Sequence, residues 1–426
     1  MDHDPRSPGT PGRPGTPRTT VTPRTPGATH PAARTPAGPV DPAVALADLV
    51  ALCAHGPRFH GTAGIAAAAD WLVGRLGAVG LDVVREPVAL PGWHPGTVRR
   101  AVVQQPLVRE LPAWPMLWSG GTGGVRRGTV EAVGPQGLWG DSMVWQKFVV
   151  RGDDGRPVAY LHARDGGPAA PQPLPAGSDH DVAHLAVGRL DGLQLTEWLG
   201  DGRPVEIEVE LDSGPVAEAV SDNLVVDVRG TGEGQVLVCG HYDSFFNTVG
   251  AYDNGSGTVA LLALAERWAA TPPVASVRLV FFTAEEWHLG GSRHHVEEAT
   301  RAELDRLDYV LNVDGLGRGS FLEAFASPES FSTSFRDAVL SYAAETRPDL
   351  ELTTRFPPTS GTDDASFHRV GVPSAFVTFN DLHRLHQPDD EPNEGIAANV
   401  SWAVGLVERV VATVPRPERA APPAFL

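Results

Sequence analysis

The chain is poor in cysteine, short of basic residues relative to acidic ones, and without long apolar runs. Only Cys53 and Cys239 occur in 426 residues. Two cysteines exclude a disulfide framework and a cysteine-built zinc site. Cys239 ends the run Val236-Leu237-Val238-Cys239, which makes it a small buried strand residue. No stretch of 18 apolar residues exists, so no membrane partner is expected. The 34 basic residues face 52 acidic ones, for a net charge of −18. Phosphate backbones need clustered Lys and Arg, so nucleic acid is not an expected partner either. The acidity reads as a solvated surface, with some carboxylates available as metal ligands. No internal repeat is found.

Hydrophobic residues make up 42% and charged residues 20%, the balance of a soluble globular protein with a sizeable core. The length suits two or three domains. Residues 1–40 hold ten prolines and five arginines and lack the apolar stretch of a secretory signal. Such a segment buries too little apolar surface to fold, so a disordered tail of charge +3 is expected there. Cytoplasmic location is the default without a signal, with secretion as the alternative. A second short tail is expected over residues 416–426.

Helical spacing of apolar residues predicts helices over Val44–Leu52 and Ala63–Leu76, with Thr62 as a possible N-cap, and then a strand over Leu81–Val88. From 91 to 214 the texture changes to Gly, Pro and Trp. Short β-like runs occur at Thr129–Val133, Pro157–Ala163 and Val205–Leu211, with one helix over Asp191–Leu199. This predicts an inserted β-rich domain, residues 91–214, within a domain made of 41–90 and 215–415. The second half is α/β. Val236–Cys239, Val277–Thr283, Tyr309–Val313 and Ser374–Thr378 read as buried strands of a mixed, mostly parallel sheet flanked by helices, two of them over Gly255–Trp268 and Ser330–Glu345.

Five motifs sit close to the ends of those strands: His241-Tyr242-Asp243, Tyr252-Asp253-Asn254-Gly255, Glu285-Glu286, Asn312-Val313-Asp314 and His386-Gln387-Pro388-Asp389-Asp390. Ligands of open α/β sheets bind at the carboxyl ends of strands. Zinc takes imidazole nitrogen and carboxylate oxygen, and two zincs about 3.5–4 Å apart need one shared carboxylate. His241, Asp253, Glu286, Asp314 and His386 suffice if one carboxylate bridges, and Asp253 at a helix start suits that place. Glu285 is then left over as a general base. Asp243 can accept the second ring N–H of His241, and Asp390 that of His386. Taken singly, each of these residues is more often a cap or a surface charge; jointly and in order, they point to a metal site. His383, three residues before His386, is a competing ligand by spacing.

On these motifs the chain resembles the co-catalytic zinc exopeptidases, which include bacterial leucyl aminopeptidases and, more distantly, glutamate carboxypeptidase II. The resemblance covers residues 216–410 well and 41–88 weakly. It implies two Zn2+ per chain, one on His241 and Asp314 and one on Glu286 and His386, with Asp253 bridging and Glu285 as base and then acid. It favours His386 over His383. Gly361-Thr362-Asp363-Asp364-Ala365-Ser366-Phe367 matches the family's segment before its last strand, while Gln387 and Glu391 depart from it, each standing where Thr is usual or frequent. The implied activity is an aminopeptidase acting on peptides or amino-acid amides. A carboxypeptidase, a dipeptidase, an amidohydrolase on a specialised metabolite, a one-zinc glutaminyl cyclase and a non-catalytic receptor-like protein are the alternatives. The insert, above all Ala183–Leu211, resembles a protease-associated domain. Its tryptophans, Trp93, Trp114, Trp118, Trp139, Trp145 and Trp198, are expected to be core aromatics more often than a rim over the site.

Overall fold

The computed structural model describes residues 39–138, 144–355 and 361–417. Residues 1–38 and 418–426, most of both expected tails, lie outside them, as does Trp139. In chain order, helices α1 (Pro42–Cys53) and α2 (Ala63–Ala78) lead into strand β1 (Val83–His94). Then come β2 (Val98–Gln105), β3 (Arg109–Glu110), β4 (Ala113–Pro115), β5 (Arg126–Gly137), β6 (Val144–Arg151), β7 (Pro157–Ala163), β8 (Ala183–Val187), α3 (Arg189–Gly200) and β9 (Glu206–Leu211). The second half runs β10 (Gly214–Val228), β11 (Gln235–His241), a turn at Ala251–Gly255, α4 (Ser256–Ala270), β12 (Ser276–Phe282), α5 (Gly290–Glu298), α6 (Arg301–Arg306) and β13 (Tyr309–Leu316). It closes with β14 (Phe321–Ser327), α7 (Glu329–Thr346), β15 (Glu351–Arg355), α8 (Asp364–His368), β16 (Ser374–Phe379) and α9 (Glu394–Thr413).

One sheet has the order β1-β10-β12-β11-β13-β16-β14-β15. The pairs β12–β11, β11–β13, β13–β16 and β14–β15 are parallel, and the remaining three are antiparallel. The central strands are apolar at nearly every position because both faces are covered. Val236 and Val238 of β11 and Leu279 and Phe281 of β12 face the core under α1, α2, α4, α7 and α9. Their neighbours Leu237, Cys239, Val280 and Phe282 face α5, α6 and α8. Helix α9 has the length and hydropathy of a membrane span, with a mean hydropathy of 1.2, yet 67% of that stretch is buried against α1, α4 and α7. It is a core helix.

A second sheet, β3-β2-β9-β5-β6-β7-β8-β4, is built wholly from residues 98–211 and carries its own apolar core with α3. Met116, Trp145, Leu174 and Ala186 on that segment instead join the core of the first sheet. Trp145 and Trp198 are core aromatics. Trp93 and Trp118 pack with Phe59, Phe245 and Trp287 in a separate aromatic cluster, which Trp114 approaches through Phe246. Thr62 is the residue before α2, but its hydroxyl donates to the Phe59 carbonyl at 2.6 Å instead of capping the helix.

Candidate metal centre

Each motif side chain is delivered by the carboxyl end of a parallel strand or by the turn after it. His241 is the last residue of β11, and Asp314 lies in β13. Glu285 and Glu286 follow β12 through Ala284, a non-glycine residue at φ 53°. His386 follows β16 and sits at φ 55°. Asp253 stands in the turn before α4, where Asn254 accepts from the Gly257 N–H at 2.8 Å and donates to the Val313 carbonyl at 3.0 Å. Gly257 is required there, since a Cβ would lie 2.2 Å from the Val313 carbonyl oxygen. The helix start is thereby pressed against the strand that carries Asp314.

Two triads result, His241–Asp253–Asp314 and Asp253–Glu286–His386, with Asp253 common to both. His241 Nε2 lies 3.2 Å from Asp253 Oδ1 and 3.3 Å from Asp314 Oδ1. His386 Nε2 lies 3.2 Å from Asp253 Oδ2 and 3.1 Å from Glu286 Oε2. Ligand atoms about 2.0–2.1 Å from a tetrahedral ion stand about 3.3 Å from one another, so both triads have the dimensions of a zinc site. His241 Nε2 and Glu286 Oε1 are buried with no aligned hydrogen-bond partner among the described residues, which is the state of atoms that face a metal. Glu285 belongs to neither triad, and its Oε2 is 4.0 Å from His241 Nε2.

The charge balance agrees with a cation. Burial pushes Glu285 well above the usual carboxylate range and raises Glu286 to about 7 and Asp363 to about 8. Burial opposes the charged form of the two histidines, but the carboxylates outweigh it. His241 is held well above its ordinary value by Asp314 and Glu285, and His386 rises to about 10 beside Glu286 and Asp253. A buried cluster of this composition is held together by protons or by cations.

The orienting contacts differ partly from expectation. Asp243 Oδ1 is 3.3 Å from His241 Nδ1, and its two oxygens accept the Glu285 and Glu286 N–H groups at 3.2 and 3.3 Å. Asp390 does not reach His386. Its oxygens accept the Tyr252 and Asp253 N–H groups at 2.7 and 3.1 Å, so it fixes the shared ligand's backbone. His386 Nδ1 instead meets the Pro171 carbonyl at 2.9 Å, because the left-handed backbone turns the ring toward the inserted segment and onto Phe245, 3.9 Å away between centroids. Arg164 of the same segment donates to the Leu382 and Leu385 carbonyls at 2.8 and 3.5 Å. His383 is exposed and belongs to neither triad.

Three contributors escaped the sequence. Arg58 is fully buried and donates to the Tyr242, Val249 and Gly250 carbonyls, pinning both the end of β11 and the turn before Asp253. Nothing in its flanking residues marks it. The Pro171 carbonyl is a backbone atom and leaves no signal. Asp363 carries no assigned role in the sequence beyond its place in the segment Gly361–Phe367, yet both of its carboxylate oxygens are buried without an aligned partner among the described residues.

Residues 223–412 match the model of peptidase family M28. Aminopeptidase YwaD of Bacillus subtilis is 24% identical over 361 residues, 79% of this chain and 76% of that enzyme. Leupeptin-inactivating enzyme 1 of Streptomyces exfoliatus is 30% identical over a shorter stretch, 36% of this chain and 35% of that enzyme. Among solved structures, an M28 peptidase precursor from Shewanella amazonensis superposes with a TM-score of 0.71 at 22% identity, covering 89% of this chain and 96% of that one. BSAP, a zinc aminopeptidase from Bacillus subtilis, superposes with a TM-score of 0.66 at 20% identity, covering 89% and 97%. The segment that carries every motif, residues 223–412, is thus similar to peptidase family M28.

Proposed function

We infer that this protein is a zinc aminopeptidase that holds two zinc ions, one on His241 and Asp314, one on Glu286 and His386, with Asp253 shared. The observation that carries this reading is the pair of triads meeting at Asp253 with Glu285 just outside them. Zinc there supplies a Lewis acid that polarises a carbonyl oxygen and lowers the pKa of water. The chain's own residues do the rest. Glu285 takes the proton of the attacking water and returns it to the leaving amine. Asp243 holds the two backbone N–H groups at Glu285 and Glu286 and one ring nitrogen of His241, so base and ligands keep one geometry.

The acidic excess favours a free α-ammonium over a terminal carboxylate. Among the described residues, no Arg or Lys pairs with Asp253, Glu285, Glu286 or Asp314, and Arg58 is committed to carbonyls. A carboxypeptidase needs such a cation. The aromatic wall of Phe245, Phe246, Trp118 and Trp287 supports an apolar N-terminal side chain on the substrate. The test compares leucyl- and phenylalanyl-4-nitroanilide with their N-acetyl forms, with and without chelator. Cleavage of the free-amine forms alone, abolished by chelator and restored by zinc, is expected. Equal cleavage of the N-acetyl forms would overturn the aminopeptidase reading.

A further inference from the structure

A cavity of about 720 Å3 opens between α7 and α9, on residues that the metal centre does not use. Its volume falls in the range of about 300–1,000 Å3 typical of small-molecule sites. Four arginines line it. Three are neutralised: Arg267 by Glu408 at 2.8 Å, Arg318 by Asp381 at 2.9 Å and Arg409 by Glu345 at 2.6 Å. The fourth, Arg347, makes no ion pair among the described residues. Its Nη1 donates to Asn399 Oδ1 at 2.6 Å, and its guanidinium stands 5.3 Å from the Phe379 ring and 5.9 Å from the Trp402 ring. The two rings meet edge to face at 79°, and with Asn399 they hold the guanidinium on one side, while its Nε–Nη2 edge makes no hydrogen bond among the described residues. That edge is the two-donor fork that matches a carboxylate. In a chain with 52 acidic residues, an arginine that lines a cavity without an ion-pair partner among the described residues is a site suited to an anion.

We propose that this cavity binds a small monocarboxylate with a flat apolar body, its carboxylate on Arg347 and its body against Trp402. One free fork offers two parallel donors, which match a single carboxylate. Asn399 also donates to the Gly317 and Gly319 carbonyls, three and five residues beyond Asp314. The anion site is therefore tied to the loop that follows the strand carrying Asp314.

The test is calorimetric titration of the zinc-loaded protein with phenylacetate and with its neutral isostere phenylacetamide. It is repeated on Arg347→Gln, on Ala398→Trp, which fills the cavity from the exposed side of α9 without changing charge, and on chelated wild type. Saturable phenylacetate binding is expected, weaker by at least about tenfold for the amide and for both variants, and retained after chelation. Equal binding of acid and amide would overturn the proposal without recourse to any variant. Binding kept in Arg347→Gln but lost with chelator would overturn it too, by placing the carboxylate on the metal centre. Absence of binding to wild type would overturn it outright. None of these outcomes bears on the aminopeptidase reading, which is read by substrate cleavage.

Discussion

Asp253 is the residue on which both triads depend, because each of its oxygens faces a different histidine. Removing it leaves each ion with two protein ligands. Asp253→Ala is expected to lose zinc at both positions and fold otherwise intact; elemental analysis after gel filtration reads this, and retention of two zincs would contradict the sharing. The histidines carry a second prediction. Without metal, the carboxylates hold His386 protonated up to about pH 10 and His241 protonated well above its ordinary range. Zinc needs neutral imidazole, so uptake at pH 7 should release at least about two protons per chain, with any further release coming from Glu285, Glu286 and Asp363, and affinity should fall as pH falls. Calorimetry in buffers of different ionisation enthalpy measures the release. The triad residues stand out in the sequence because zinc chemistry needs particular residue types at strand ends. The role of Asp390 was not, since a carboxylate near a histidine can equally serve a backbone N–H, and only the path of the turn decides between them.

The elements divide along a physical line. Strands β11, β12, β13 and β16 are buried on both faces and appear in the sequence as largely apolar runs. Strand β10 went unread because its first half is exposed and reads Pro-Val-Ala-Glu-Ala, with its pairing set by distant β1. Strands β14 and β15 and helix α9 were also missed. The contact that matters most between elements joins the loop after β7 to the loop after β16. His386 at φ 55° is held in a conformation that costs on the order of 1–3 kcal/mol for a non-glycine residue. Arg164, the Pro171 carbonyl and Asn247, which donates to the His386 carbonyl at 2.9 Å, over-determine it. Arg164→Ala should therefore destabilise the fold by about 2–3 kcal/mol and weaken zinc at the His386–Glu286 position more than at the other. Zinc titration of the metal-free variant would show two unequal steps, whereas two equally weakened steps would contradict the clamp.

For the whole molecule, the metal centre is a store of buried acid that the fold tolerates through cations. Without metal, Glu286 at about 7, Asp363 at about 8, Asp364 and Asp390 at about 7 and His386 at about 10 all lie above their unfolded values. Each binds its proton more tightly folded than unfolded. The stabilisation is complete below the unfolded values, near pH 4 for the carboxylates and 6.5 for the histidine, and is lost as pH rises through the folded ones. Metal-free protein should accordingly melt lower at pH 9 than at pH 6, and zinc should flatten that slope by replacing the protons. Differential scanning calorimetry at the two pH values checks both statements.

The account stands on two zincs sharing Asp253 while Glu285 binds neither. Glu285→Gln separates ligand from base: zinc per chain by elemental analysis, measured beside kcat for leucyl-4-nitroanilide on the same preparation. The expected result is two zincs retained with kcat lowered by about 10²–10⁴-fold. Loss of a zinc, or near-normal turnover with both retained, would contradict it.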